Sequence, residues 1–167
     1  MPPRATLIGL RSPRNVIDPP PVERPIRLGV VGLGFRSVLN VVPKAMAYED
    51  YQLAAVCDRR PEVTAKVVSD VQAQHGLAIR GYTDFAEMLA HEELDAVAVG
   101  VDPDAQVPLA CRAMEAGLHV MMEVPVAYTL DHCWQLIAAV ERTGKHFLLM
   151  EQLRYAGYIQ AWREIVR

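Results

Sequence analysis

The sequence predicts a doubly wound α/β domain built on one parallel sheet. Three observations predict it. Short apolar runs rich in β-branched residues alternate along the chain with stretches of helical length. The runs number six, enough for the doubly wound plan with right-handed crossovers. A glycine turn joins the first run to the first helical stretch, in Ile26-Arg27-Leu28-Gly29-Val30-Val31-Gly32-Leu33-Gly34-Phe35-Arg36-Ser37.

The elements follow in order. Ile26 to Val31 reads as the first buried strand, and Val38 to Ala47 as a helix that Pro43 should kink or divide. Gln52 to Cys57 is the second strand, ended by Asp58. Pro61 suits a helix's first turn, and Glu62 to His75 continues that helix with Val63, Val67 and Val71 inward. Gly76 stops it. Leu77 to Tyr82 is a weak strand centred on Ile79. Asp84-Phe85-Ala86-Glu87 resembles a capping box, opening a short helix through Leu89. Asp95 to Val101 is a buried strand, and Asp102-Pro103-Asp104 turns into a helix from about Ala105 to Ala116. Leu118 to Glu123 is a strand ended by Val124-Pro125. Thr129 or Asp131 caps a helix to about Thr143, and His146 to Met150 is the last strand. A further helix begins at Tyr155.

Residues 1–25 differ in kind. Seven prolines, from Pro2 to Pro25, each fix φ and remove a donor, so the segment is neither helix nor central strand. We read it as an arm, disordered or extended, with Leu7-Ile8-Gly9-Leu10 too short for a signal-peptide core. The whole sequence has 167 residues and a formal net charge of −3. That length suits one core, and the charge argues against a nucleic-acid partner. No apolar run reaches a membrane span. The three cysteines, Cys57, Cys111 and Cys133, lack C-x-x-C spacing and read as reduced thiols of a cytoplasmic protein. The five histidines make no short-spaced ligand pair, so no metal site is expected.

The glycine turn carries the first chemical expectation. Gly32 permits the tight turn out of the strand, and Gly34 lets a pyrophosphate approach the backbone. Ser37 stands where the G-x-G-x-x-G pattern has its third glycine. N–H groups of the following first turn, including those at Phe35 and Arg36, then face the phosphates. The alternative is an ordinary strand–helix turn. Asp58 ends the second strand at the distance where an acid takes the ribose hydroxyls of a dinucleotide, which favours NAD over NADP. Arg59 complicates that choice, because an arginine there can stack on adenine or pair with a 2′-phosphate. The alternative is an aspartate opening a turn before a solvated Arg59-Arg60 pair.

Several segments together resemble the nucleotide-binding half of the Gfo/Idh/MocA oxidoreductases. They are Gly32-Leu33-Gly34-Phe35-Arg36, Val56-Cys57-Asp58-Arg59, Tyr82 to Leu89, Ala113 to Val120, and Glu123-Val124-Pro125. The resemblance implies a Rossmann domain over residues 26–151 that binds NAD. It also implies that residues 152–167 enter a second α/β substrate domain largely absent from this chain. Asp102-Pro103 stands where the family usually has Thr-Pro, and Gln106 where a histidine commonly follows. Glu123 matches the acid on the nicotinamide side. Val124 occupies the position of the lysine implicated in proton transfer, so no catalytic residue is assigned, with Tyr155 as a candidate. Arg154 matches the arginine of Asn-x-Arg-Tyr/Phe and faces cofactor or substrate.

The activity so implied is hydride transfer between a nicotinamide cofactor and a sugar or polyhydroxy compound, completed only by the longer protein. One alternative is an NAD-dependent glycosidase that oxidises its substrate transiently, since Glu-Val-Pro followed by Leu130 to Trp134 resembles some of those. The other is a non-catalytic dinucleotide-binding module. Homo-oligomerisation through the second domain and the N-terminal arm is a further implied property.

Overall fold

The computed structural model of the chain describes residues 23–151 and 156–166. Most of the proline-rich arm, together with Gln152, Leu153, Arg154 and Tyr155, lies outside the described residues. Six parallel strands form one sheet in the order β3-β2-β1-β4-β5-β6. They are β1 (Ile26–Val31), β2 (Tyr51–Cys57), β3 (Arg80–Tyr82), β4 (Ala96–Val99), β5 (His119–Met122) and β6 (Phe147–Leu149). The helices between them are α1 (Val42–Ala47), α2 (Pro61–His75), α3 (Phe85–His91), α4 (Pro103–Glu115) and α5 (Leu130–Thr143), with α6 (Gly157–Val166) after β6. This is the predicted doubly wound plan, and strand order reverses where β1 meets β4.

Alternate strand residues face opposite sides, and each side has its own core. On one side Leu28, Val30, Leu53, Val56, Ala96 and Ala98 pack with Val42 and Ala45 of α1 and Val67 and Val71 of α2. On the other, Val31, Ala55, Val97, Val99, Val120 and Met122 meet Phe85 and Met88 of α3. Val107, Ala110 and Met114 of α4 and Leu136 and Ala139 of α5 complete that side. Covering both faces explains why β1 and β4 read as unbroken apolar runs.

Local signals set the boundaries. Asp84 accepts the Ala86 and Glu87 N–H groups and so caps α3. Thr129, rather than Asp131, caps α5 by accepting the His132 N–H at 3.2 Å. Gly76 and Gly144 end α2 and α5 in left-handed conformation, as helix C-caps commonly do. Pro43 divides the first helix: a π-helical segment, Ser37–Val41, precedes α1, and Pro43 falls in the first turn of α1. The third strand is shorter than its apolar run. Ile79 is buried, but only Arg80–Tyr82 pairs with β2. At the start of β1, Arg24 grips Asp95 with two bonds of 2.7 Å, and Arg27 N–H adds a third at 2.8 Å.

These cores predict where substitutions matter. Met88 has no exposed surface, so Met88→Ala should cost about 2–5 kcal/mol in urea unfolding. Leu130 is largely exposed, and Leu130→Ala should stay within about 0.5 kcal/mol. Equal costs for the two would contradict this two-sided core.

Candidate functional site

The carboxyl ends of β1, β2 and β4 border a cleft of about 470 Å³ at the point where strand order reverses. Gly32, Gly34, Asp58, Arg59, Arg60 and Asp102 line its polar part, over an apolar floor that includes Val31, Phe85 and Leu109.

The glycine turn fits against β4 with no room to spare. Gly32 has φ of +85°, which favours glycine. A Cβ there would also collide with the Gly100 carbonyl oxygen and lie 2.5 Å from Val101 Cγ1. One residue pair further on, Ser37 is buried, and a Cβ on Gly100 would lie 2.6 Å from its Oγ. Close packing at the third position of the pattern is therefore met by a small serine facing a glycine. Gly34 is the opposite case, since a Cβ there would meet nothing within 4 Å. Phe35 and Arg36 begin the helical run with exposed side chains, Phe35 at 77%.

Asp58 lies at the end of β2 and is only 7% exposed. Its carboxylate accepts four bonds. Oδ2 takes the Leu33 N–H at 2.8 Å and Arg60 Nη2 at 3.0 Å. Oδ1 takes the Arg60 N–H at 3.0 Å and Arg60 Nε at 2.9 Å. The Arg60 guanidinium, above all, holds this carboxyl down at about 2 against burial, with the Leu33 and Arg60 N–H groups adding to the effect. Thr64 Oγ1 donates to the Asp58 carbonyl at 3.1 Å and steadies the strand end.

Sequence reasoning named Arg59 as the neighbour that matters, and it missed Arg60. A signal was present. Arg60 precedes Pro61, which disfavours helical backbone at the residue before it. Its φ of −95° and ψ of 107° are extended, and the side chain turns back onto Asp58. Arg59 is exposed and lines the same cleft. Asp102 caps α4 by accepting the Asp104 N–H at 3.1 Å, and Pro103 opens that helix.

Glu123 belongs to another place. It is buried, and it lines a second groove of about 360 Å³ with Asn40, Lys44, Tyr48, Met121 and Met150. Val124 follows, 36% exposed, with a cis bond to Pro125. Gln106, fully buried in α4, donates from Nε2 to the Pro125 carbonyl at 2.9 Å and so ties α4 to this turn. Arg154 and Tyr155 lie outside the described residues.

Among the described residues, no group of three or more His, Cys, Asp or Glu is placed to hold a metal ion. No described helix is long and apolar enough to cross a membrane. The Cys57 thiol, at the cleft floor, is pushed up to about 11 by burial, with Asp84 and Asp58 adding to the rise. It stays protonated at neutral pH and is not a nucleophile there.

The state of Asp58 gives a pH prediction. Its folded value of about 2 lies below the ordinary 3.8, so its stabilising contribution is complete above about 4 and fades as pH falls through about 2. Asp58→Asn should lose about 1–2 kcal/mol at pH 7, a figure reduced because Arg60 is half exposed. Urea unfolding of both proteins should show the gap closing between about pH 4 and pH 2. A gap independent of pH would show that the bonds to Asp58 do not depend on its charge.

Known proteins agree with the architecture. Among curated relatives, a glycosyl hydrolase family 109 protein of Shewanella sp. (strain W3-18-1) is 29% identical over 154 residues, 90% of this chain and 32% of its own. An alpha-N-acetylgalactosaminidase of Shewanella oneidensis is 30% identical with the same coverage. The chain thus spans about a third of the length of the curated relatives it matches. Among solved structures, a putative dehydrogenase from Bordetella bronchiseptica superposes with a TM-score of 0.75 at 29% identity. The match covers 85% of this chain and 36% of that one. A scyllo-inositol dehydrogenase from Lactobacillus casei, solved with NAD(H) and scyllo-inositol, shares the fold with a TM-score of 0.76 at 20% identity. There the match covers 86% of this chain and 41% of the other. The profile of the Gfo/Idh/MocA group, an oxidoreductase family with an NAD-binding Rossmann fold, matches residues 26–151, and this chain belongs to that family.

Proposed function

We propose that this chain is the dinucleotide-holding part of a longer NAD-dependent oxidoreductase that acts on a sugar or another polyhydroxy compound. The observation that carries the reading is Gly34. It stands at the switch point of the sheet, in the turn between β1 and the first helical run, and space is open where its side chain would be. Backbone without a side chain, beside the start of a helix, is what a pyrophosphate needs. Gly32, Gly34, Phe35 and Arg36 would supply that cradle.

When bound, a nicotinamide dinucleotide supplies a hydride acceptor or donor. The residues of this chain bind and orient it. Asp58 offers a carboxylate to the ribose hydroxyls and repels a 2′-phosphate, which favours NAD over NADP. Arg59 borders the adenosine end, Asp102 bounds the cleft at β4, and Pro103 opens the helix that follows. Glu123 would serve the nicotinamide side, and the family motif gives Arg154, outside the described residues, a role toward cofactor or substrate. Val124 carries no proton, so the acid–base group comes from Tyr155 or from a substrate domain entered at residues 152–167.

A second reading is favoured by the curated relatives, one of which is an alpha-N-acetylgalactosaminidase. In it the longer protein cleaves a glycosidic bond with no net oxidation of the sugar. Release of the aglycone from an N-acetylgalactosaminide without NADH accumulation supports this reading. NADH accumulating with free sugars supports the first.

Gly34→Val tests the common core of both. No neighbour within 4 Å opposes the new side chain, so the melting temperature should hardly move. The valine would fill the phosphate position and weaken NAD binding by about tenfold or more, read by calorimetric titration. Unchanged NAD affinity in a folded Gly34→Val protein would refute the cradle.

A further inference from the structure

We propose that Arg60 is a built-in competitor of the cofactor at Asp58: its guanidinium occupies the lone pairs that a ribose diol needs, and its release admits NAD. The inference rests on the dinucleotide reading above and adds to it a residue that governs affinity and selectivity.

A carboxylate offers about four lone-pair positions. All four at Asp58 are taken, two by backbone N–H groups and two by one guanidinium. The backbone donors cannot leave without moving the glycine turn or the start of α2. The Arg60 side chain can. It is half exposed, it lies on the rim of the cleft, and it is joined to Asp58 only through a long flexible stem. Two hydroxyl donors arriving together could replace Nε and Nη2 one for one. The carboxylate would meanwhile keep its orientation through Leu33 and the Arg60 N–H.

Two consequences follow. The exchange is nearly balanced, because two ribose hydroxyls replace the two guanidinium donors on the buried carboxylate bond for bond, and the half-exposed guanidinium returns to water. Arg60 therefore lowers NAD affinity without blocking it. The exchange is also selective by donor count. A 2′-phosphate brings acceptors, not donors, so it cannot take the place of the guanidinium on Asp58. The selectivity lies in that release: two ribose hydroxyls free the carboxylate, whereas a 2′-phosphate, facing the remaining N–H donors of the guanidinium, leaves Asp58 paired.

The test uses the full 167-residue chain, NAD as ligand, and no activity measurement. Calorimetric titration compares wild type with Arg60→Ala and Arg60→Gln, and thermal melting checks that both variants are folded. In parallel, the Arg60 Nε–H resonance of the wild type is followed by NMR as NAD is added. We expect both variants to bind NAD about two- to fivefold more tightly. We also expect the wild-type Nε–H signal to shift and lose protection from exchange at saturation. Wild type that binds NAD, with equal or weaker binding in the variants, overturns the competitor and leaves the dinucleotide site standing. So does an Nε–H signal unmoved by bound NAD, a measurement that needs no variant. A wild type that does not bind NAD overturns the site itself, and the competitor with it.

Discussion

The carboxyl end of this sheet depends on how closely β1 runs into its turn beside β4. Gly32 makes that approach possible, because any Cβ at that point would strike the Gly100 carbonyl oxygen and Val101. Gly100 returns the favour one level up, where Ser37 Oγ fills the space a Cβ would need. The two contacts set the glycine turn at a fixed height over the sheet. They also fix where the first helical run starts, and thus the position of the cleft. A Cβ built on Gly100 would also lie 3.6 Å from Glu123 Cγ. The same glycine borders the cleft at β1, β2 and β4 and stands beside the buried acid of the second groove.

Asp58 completes that joint from the β2 side. The Leu33 N–H, inside the glycine turn, donates to its carboxylate at 2.8 Å. The acid thus supports the turn before any ligand is considered. A buried carboxylate needs such donors, because burial alone would favour its neutral form. Asp58 has four, and they hold it charged across the neutral range. The same arrangement that stabilises the fold leaves a charged acceptor at the rim of a cleft. Fold and site are here one network, which is why the Asp58 position can be read both as a turn residue and as a recognition residue.

Most of the architecture was legible in the sequence. The glycine turn, the alternating runs and the helix caps each follow from local chemistry, and all six strands are present in one parallel sheet. Element ends were less legible. Leu77 to Tyr82 reads as a strand, yet Ile79 is buried ahead of a ladder that spans only Arg80–Tyr82. Burial and strand pairing are different demands, and hydrophobicity reports only the first. The division of the first helix was signalled by Pro43, but the π-helical form of Ser37–Val41 was not.

The candidate site was legible in its backbone and less so in its side chains. Glycines are chosen by conformation and space, which sequence spacing reports well. The partner of a carboxylate is chosen by direction, which spacing reports poorly. Arg59 and Arg60 are adjacent and chemically identical, and they differ in which way the strand's exit turns them. The deciding residue is Pro61, which does not itself line the cleft. By holding Arg60 in extended backbone, it sends that guanidinium back over Asp58 and leaves Arg59 on the exposed rim. A proline needed to start α2 thereby decides which arginine guards the acid. The electrostatics of the cleft are in this sense a consequence of how a helix begins.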